Sequence, residues 1–201
     1  MMKRVCVFCG SSPGQRREYA IAARDFGRAL AQRGIGLVYG GAKVGMMGVL
    51  ASAALEAGGE VTGVMPQALV DKEIAFRELS DLRIVGSMHE RKALMAGLSD
   101  GFVALPGGLG TIEEFFEVVT WAQLGMHGKP CGLLNAGGYY GPLVHFLDHA
   151  VAEGFISPGS RSLVQVDAAP GGLIEKLEAY RPAASDKASW ALRLAERDGG
   201  R

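Results

Sequence analysis

Leu105-Pro106-Gly107-Gly108-Leu109-Gly110-Thr111-Ile112-Glu113-Glu114 combines the residue types of a phosphate site with those of a sugar site. Glycines let the backbone approach a ligand closely. The stretch follows the apolar run 102–105 and precedes the apolar-periodic run 115–124, a strand, glycine turn and helix start. A helix N-terminus offers unpaired N–H groups and the positive end of its dipole, which suits phosphate. Glu113 and Glu114 would repel a phosphate placed over them, so the roles divide. Gly108, Gly110 and Thr111 face phosphate, while a carboxylate faces a ribose, where it accepts hydroxyl hydrogen bonds, stabilises an oxocarbenium ion or activates water. The bland alternative is a T-x-x-E capping box from Thr111 to Glu114. Upstream, Arg91 and Lys92 sit early in a helix, where positive charge opposes the dipole unless an anion shares the site.

Other phosphate motifs fail. Gly40 to Gly48 holds a lysine, but not in P-loop spacing, and Gly108-x-Gly110-x-x-Glu113 puts a carboxylate where a dinucleotide fingerprint needs its third glycine. Cys6 and Cys9 form C-x-x-C on a strand and face opposite sides, so buried thiols are expected and not zinc. His145 and His149 have metal-pair spacing without the glutamate of H-E-x-x-H. No metal is expected.

The chain has 201 residues, 48% hydrophobic and 21% charged, enough for one α/β domain with a substantial core. Its 21 basic and 21 acidic residues cancel, which argues against a broad nucleic-acid footprint. No apolar stretch reaches the roughly 20 residues of a membrane span. The 5–9 run is too short for a signal-peptide core, and three cysteines suggest no disulfide framework, so a cytoplasmic protein is expected.

Strands are expected at 5–9, 37–39, 61–65, 82–85, 102–105, 131–134 and 162–166, and helices at 15–33, 46–57, 87–98, to 123, 142–153 and 171–180. The stretch 66–81 reads as a polar connection. This alternation predicts a Rossmann-like, doubly wound parallel sheet of about seven strands with helices on both faces. One domain covers 1–181, and 182–201 forms a loosely docked or flexible tail.

Pro106 to Glu114 resembles the PGGxGTxxE motif of the LONELY GUY (LOG) family. Met88-His89-Glu90-Arg91-Lys92 resembles its Arg-Lys element, and 119–125, 7–12 and 38–41 resemble further family runs. The resemblance spans about residues 4–180. It implies a cytokinin riboside 5′-monophosphate phosphoribohydrolase, which cleaves the N-glycosidic bond of an N6-modified AMP to free base and ribose 5-phosphate. It also implies Arg91 and Glu114 as the catalytic pair. Substrate contacts carried over are Glu73, Arg91, Lys92, Gly107, Gly108, Leu109, Gly110, Thr111, Ile112, Glu113, Glu114 and Thr120. No cofactor is expected, and no nucleic-acid or membrane partner. The apolar face formed by Phe115, Val118, Val119 and Ala122 fits the homodimer that the resemblance implies. Alternatives are a salvage nucleosidase acting on AMP or another purine 5′-nucleotide, a nucleotide-binding protein without catalysis, and a lysine decarboxylase, for which no pyridoxal lysine is evident.

Overall fold

The computed structural model describes residues 2–70, 72, 75–79 and 81–182. The expected strands form as β1 (Arg4–Phe8), β2 (Gly36–Tyr39), β3 (Val61–Pro66), β4 (Asp81–Val85), β5 (Gly101–Ala104), β6 (Cys131–Leu134) and β7 (Val164–Asp167). They pair in parallel in the order β4-β3-β2-β1-β5-β6-β7. The strands β1, β2, β3, β5 and β6 are buried almost throughout, and the edge strands β4 and β7 less so, as a sheet covered on both faces requires.

The helices are α1 (Arg17–Gln32), α2 (Gly45–Glu56), α3 (Gln67–Val70), α4 (Met88–Leu98), α5 (Leu109–Gln123), α6 (Gly141–Ala152), α7 (Pro158–Arg161) and α8 (Pro170–Ala179). Alternate residues of β1 feed two cores. Val5, Val7 and Cys9 pack with Phe26, Leu30, Leu50 and Leu173, from α1, α2 and α8. Cys6 and Phe8 pack with Met95, Phe115, Val118 and Leu147, from α4, α5 and α6. The two thiols thus face opposite sides, as the strand period demands. Gly34 ends α1 with a φ of 66°, where the left-handed turn favours glycine.

Two short helices were not expected. α3 lies in the stretch read as a loop, and α7 is opened by Ser157, whose side chain accepts from Ser160 N–H. A single helical turn leaves too little apolar periodicity to read. The segment from 183 onward, with Trp190 and Leu194, lies outside the described residues.

The order of strands reverses direction between β1 and β5. In open α/β sheets a crevice opens at such a switch point, beyond the strands' carboxyl ends. The β1–α1 and β5–α5 loops meet there, and Gly10 N–H donates to Pro106 O at 3.1 Å.

Candidate active site

Helix α5 starts two residues before Thr111. Its N-cap is Gly108, which has no side chain to cap the first turn. The Thr111–Glu114 capping box is therefore corrected: Thr111 is already inside the helix, and Glu114 turns to Arg91. A side-chain-free cap leaves the first N–H groups of α5 for a ligand or water. A Cβ added at Gly108 or Gly110 would meet open space, so these two glycines keep the cleft clear and are not demanded by the protein's own packing. Gly107 differs, because a Cβ there would fall 2.1 Å from Thr111 Oγ1 and 2.8 Å from Gly10 N.

Helix α4 supplies the cation. Ser87 Oγ accepts from Glu90 N–H at 3.1 Å, while Glu90 Oε2 accepts from Gly86 N–H at 2.8 Å, one residue short of a reciprocal capping box. This anchored turn sends Arg91 beneath the strand ends. Its Nε donates to Val64 O at 3.1 Å, its Nη2 to Gly40 O at 3.4 Å and its Nη1 to Glu114 Oε1 at 3.1 Å. Of the five guanidinium N–H groups, three are held by these oxygens, and Nη1 also lies 4.0 Å from Met88 Sδ. The Arg91 and Glu114 side chains are only 11% and 13% exposed, so the pair is shielded from solvent.

Burial pushes the Glu114 carboxyl above its ordinary value; the Arg91 charge opposes that rise, and neighbouring Glu113 adds to it. If the ionised form is the working one, activity falls on acidification through a pH above the ordinary glutamate value of 4.5. Replacing Arg91 with Gln removes the opposing charge and moves this acid limb to higher pH, which a pH profile of kcat/KM measures. For stability the sign is reversed. A carboxyl whose pKa is raised by folding favours the fold at acid pH and loses that contribution as pH rises through the folded value.

The cleft around this pair has two contiguous lobes. One, of about 320 Å³, is lined by Arg91, Glu113, Glu114, Gly108, Leu109, Gly110, Thr111, Gly10 and Ser11, with Met47, Met88 and Met95 as an apolar wall. The other, of about 300 Å³, runs along the 10–14 loop to Tyr19, Gly107 and Tyr139. The structure thus brings together Arg91, Gly107, Gly108, Leu109, Gly110, Thr111, Glu113 and Glu114.

Three expected contacts are not brought to the cleft. Lys92 Nζ donates instead to Glu113 Oε1 at 2.7 Å and Glu117 Oε1 at 3.0 Å. Ile112 packs into the α5-side core. Thr120 lines a separate groove with Phe116, Val119, Leu147 and Ile156. Glu73 lies outside the described residues. The α5 face of Phe115, Val118, Val119 and Ala122, assigned to a dimer contact, is buried within the protomer. A parallel-sheet helix spends its broadest apolar stripe on its own sheet. Gly10, Ser11, Gly40 and the tyrosines were not singled out as site residues, although the first three follow strands at the sheet's ligand-binding end.

A family model described as "Possible lysine decarboxylase" matches residues 47–177. Cytokinin riboside 5′-monophosphate phosphoribohydrolase LOG5 of Arabidopsis thaliana is 52% identical over 180 residues, spanning 90% of this chain and 79% of that protein. A rice relative, the probable cytokinin riboside 5′-monophosphate phosphoribohydrolase LOGL5, is 50% identical over 194 residues, covering 94% and 79%. This chain belongs to the LOG family. Among solved structures, the molybdenum cofactor carrier protein of Chlamydomonas reinhardtii superposes with a TM-score of 0.68 at 24% identity, over 90% of this chain and 100% of that one. That likeness shows a shared fold. The decarboxylase wording of the family model finds no chemical support in the cleft. Among the described residues no lysine lines it, so a Schiff-base lysine for pyridoxal phosphate does not fit. No described group of three or more His, Cys, Asp or Glu is placed to hold a metal, and His145 and His149 are exposed.

Proposed function

We propose that this LOG-family chain hydrolyses the N-glycosidic bond of N6-modified adenosine 5′-monophosphates, releasing free base and ribose 5-phosphate. The observation that carries this reading is the shielded Arg91–Glu114 pair beside an uncapped helix start. The 5′-phosphate sits on the N–H groups at Gly108, Gly110 and Thr111, and the ribose lies over Glu114. As the purine leaves, positive charge grows on C1′ and the ring oxygen. A carboxylate fixed beside them stabilises that charge more in the transition state than in the ground state, and it orients the attacking water. Arg91 is no proton donor, since guanidinium stays charged. Tied to two strand-end carbonyls, it holds Glu114 in place and favours its ionised form. Glu113, paired with Lys92 at 2.7 Å, adds a polar edge to the cleft that substrate meets.

The thioether wall of Met47, Met88 and Met95 and the exposed Leu109 favour an apolar N6 substituent over plain AMP. An extra apolar group in such a pocket is worth about 1–3 kcal/mol. Incubation with N6-isopentenyladenosine monophosphate, AMP and the riboside without phosphate, followed by chromatography of released base, tests the assignment. The modified nucleotide is expected to be cleaved at least about tenfold more efficiently than AMP, and the riboside scarcely at all. Nucleotide binding without base release would support a carrier or sensor instead.

The working form we propose is a homodimer in the cytoplasm. Three unpaired, buried thiols suit a reducing compartment, and among the described residues no helix is long and apolar enough to cross a membrane. The groove of about 160 Å³ that holds Phe116, Thr120, Leu147 and Ile156 supplies an apolar surface for a second copy. Thr120 reaches substrate only if that copy brings it to the other cleft.

A further inference from the structure

Three consecutive carbonyls lead into α5, and each is taken by a donor from elsewhere in the fold. Leu105 O accepts from the Tyr140 phenol at 2.6 Å, Pro106 O from Gly10 N–H at 3.1 Å, and Gly107 O from the Tyr139 phenol at 2.7 Å. A trans peptide is planar, so a carbonyl aimed one way aims the following N–H the other way. Fixing Gly107 C=O on Tyr139 therefore fixes Gly108 N–H, the first of the N–H groups at the start of α5. The Gly107–Gly108 peptide has a glycine on each side and is the link of this turn least restrained by its own residues.

Tyr139 is itself held from both sides. Its ring packs edge-on against Tyr19, with centroids 5.4 Å apart, and against Tyr140 at 5.0 Å. Arg16 lies 5.5 Å from the Tyr19 ring centroid and donates from Nη1 to Gly137 O at 3.0 Å. Gly137 and Gly138 take positive φ values of 55° and 77°, turning the chain between β6 and α6 just before the two tyrosines. Tyr139 lines the cleft, whereas Tyr140 is buried.

We propose that Tyr139 is a positioning residue that, supported by Tyr140, sets the Gly107–Gly108 peptide plane so that the start of α5 receives the 5′-phosphate of the substrate. The proposal rests on the phosphoribohydrolase reading of this cleft. It makes the β6–α6 loop, distant in sequence from the glycine motif, part of the enzyme's affinity for the phosphorylated sugar.

Tyr139→Phe removes the hydroxyl and keeps the ring, at a position exposed enough to tolerate the change. The expected result is a KM for N6-isopentenyladenosine monophosphate raised about 5- to 10-fold, the loss expected for one well-placed hydrogen bond, with kcat within about twofold. Calorimetric binding of ribose 5-phosphate weakens by the same factor, and the thermal melting curve does not move. Tyr140→Phe gives the same direction of change in ribose 5-phosphate affinity. An unchanged affinity for ribose 5-phosphate in Tyr139→Phe would overturn the proposal, and so would an equal loss of kcat with a lowered melting temperature. The binding measurement is independent of turnover. A native protein that binds ribose 5-phosphate but releases no base fails the phosphoribohydrolase reading alone, whereas a Tyr139→Phe protein with native affinity and full base release fails the positioning role alone.

Discussion

Replacing Glu114 with Gln is expected to leave the protein folded and its nucleotide affinity within a few-fold of native, while turnover falls about 100- to 1000-fold. Glutamine has the shape of glutamate, and its Oε1 still accepts the hydrogen bond that Arg91 Nη1 now gives to Glu114 at 3.1 Å. What disappears is the negative charge. Phosphate binding at the start of α5 does not use that charge, and the change removes an ionised carboxylate whose burial is unfavourable. The loss therefore belongs to the step in which positive charge develops on the sugar. Steady-state kcat together with a titration of nucleotide binding separates the two, and a variant with near-native kcat would remove Glu114 from the chemistry.

Gly40→Ala is expected to lower turnover about 100-fold with little change in stability, although residue 40 need never touch the reacting bond. A Cβ at this position would lie 2.2 Å from Arg91 Nη2 and 3.1 Å from Met47 Sδ. Both are the ends of flexible side chains, so the fold accommodates the methyl by moving them. Arg91 then loses its seat on the Gly40 carbonyl and no longer holds Glu114 in line. Melting temperature and kcat measured on the same preparation check this. A large drop in stability would mean that the backbone yields instead of Arg91, and an unchanged kcat would mean that the position of Arg91 is not critical.

Local patterns in the chain made the fold legible. Short β-rich runs ending in glycine alternate with amphipathic helices, and that alone implies a parallel sheet with its ligand loops at one end. The start expected for the 87–98 helix holds, because Ser87 caps it with its own hydroxyl. The alternative Thr111-x-x-Glu114 capping box marks a start three residues too late, because the cap of α5 is Gly108, which has no side chain to announce it. The glycines and Glu114 were legible as a site through their own chemistry. The acceptors that seat Arg91 were not. Val64 and Gly40 offer only backbone oxygens, 27 and 51 residues away, and any residue type carries such an oxygen. The same holds for the Tyr139 bond to Gly107, which spans 32 residues. Lys92 illustrates the converse. Its adjacency to Arg91 suggested a shared anion, but successive helix residues diverge by about 100°, and Lys92 meets Glu113 and Glu117 on α5.

The central claim is that this cleft cleaves the bond between base and sugar. The most direct measurement follows both products of N6-isopentenyladenosine monophosphate with the purified chain, with no cofactor or metal added. Free base and ribose 5-phosphate are predicted to appear in equal amounts, and about 100- to 1000-fold more slowly in Glu114→Gln. Substrate that binds and is recovered intact, or base release that persists undiminished in Glu114→Gln, would contradict the account.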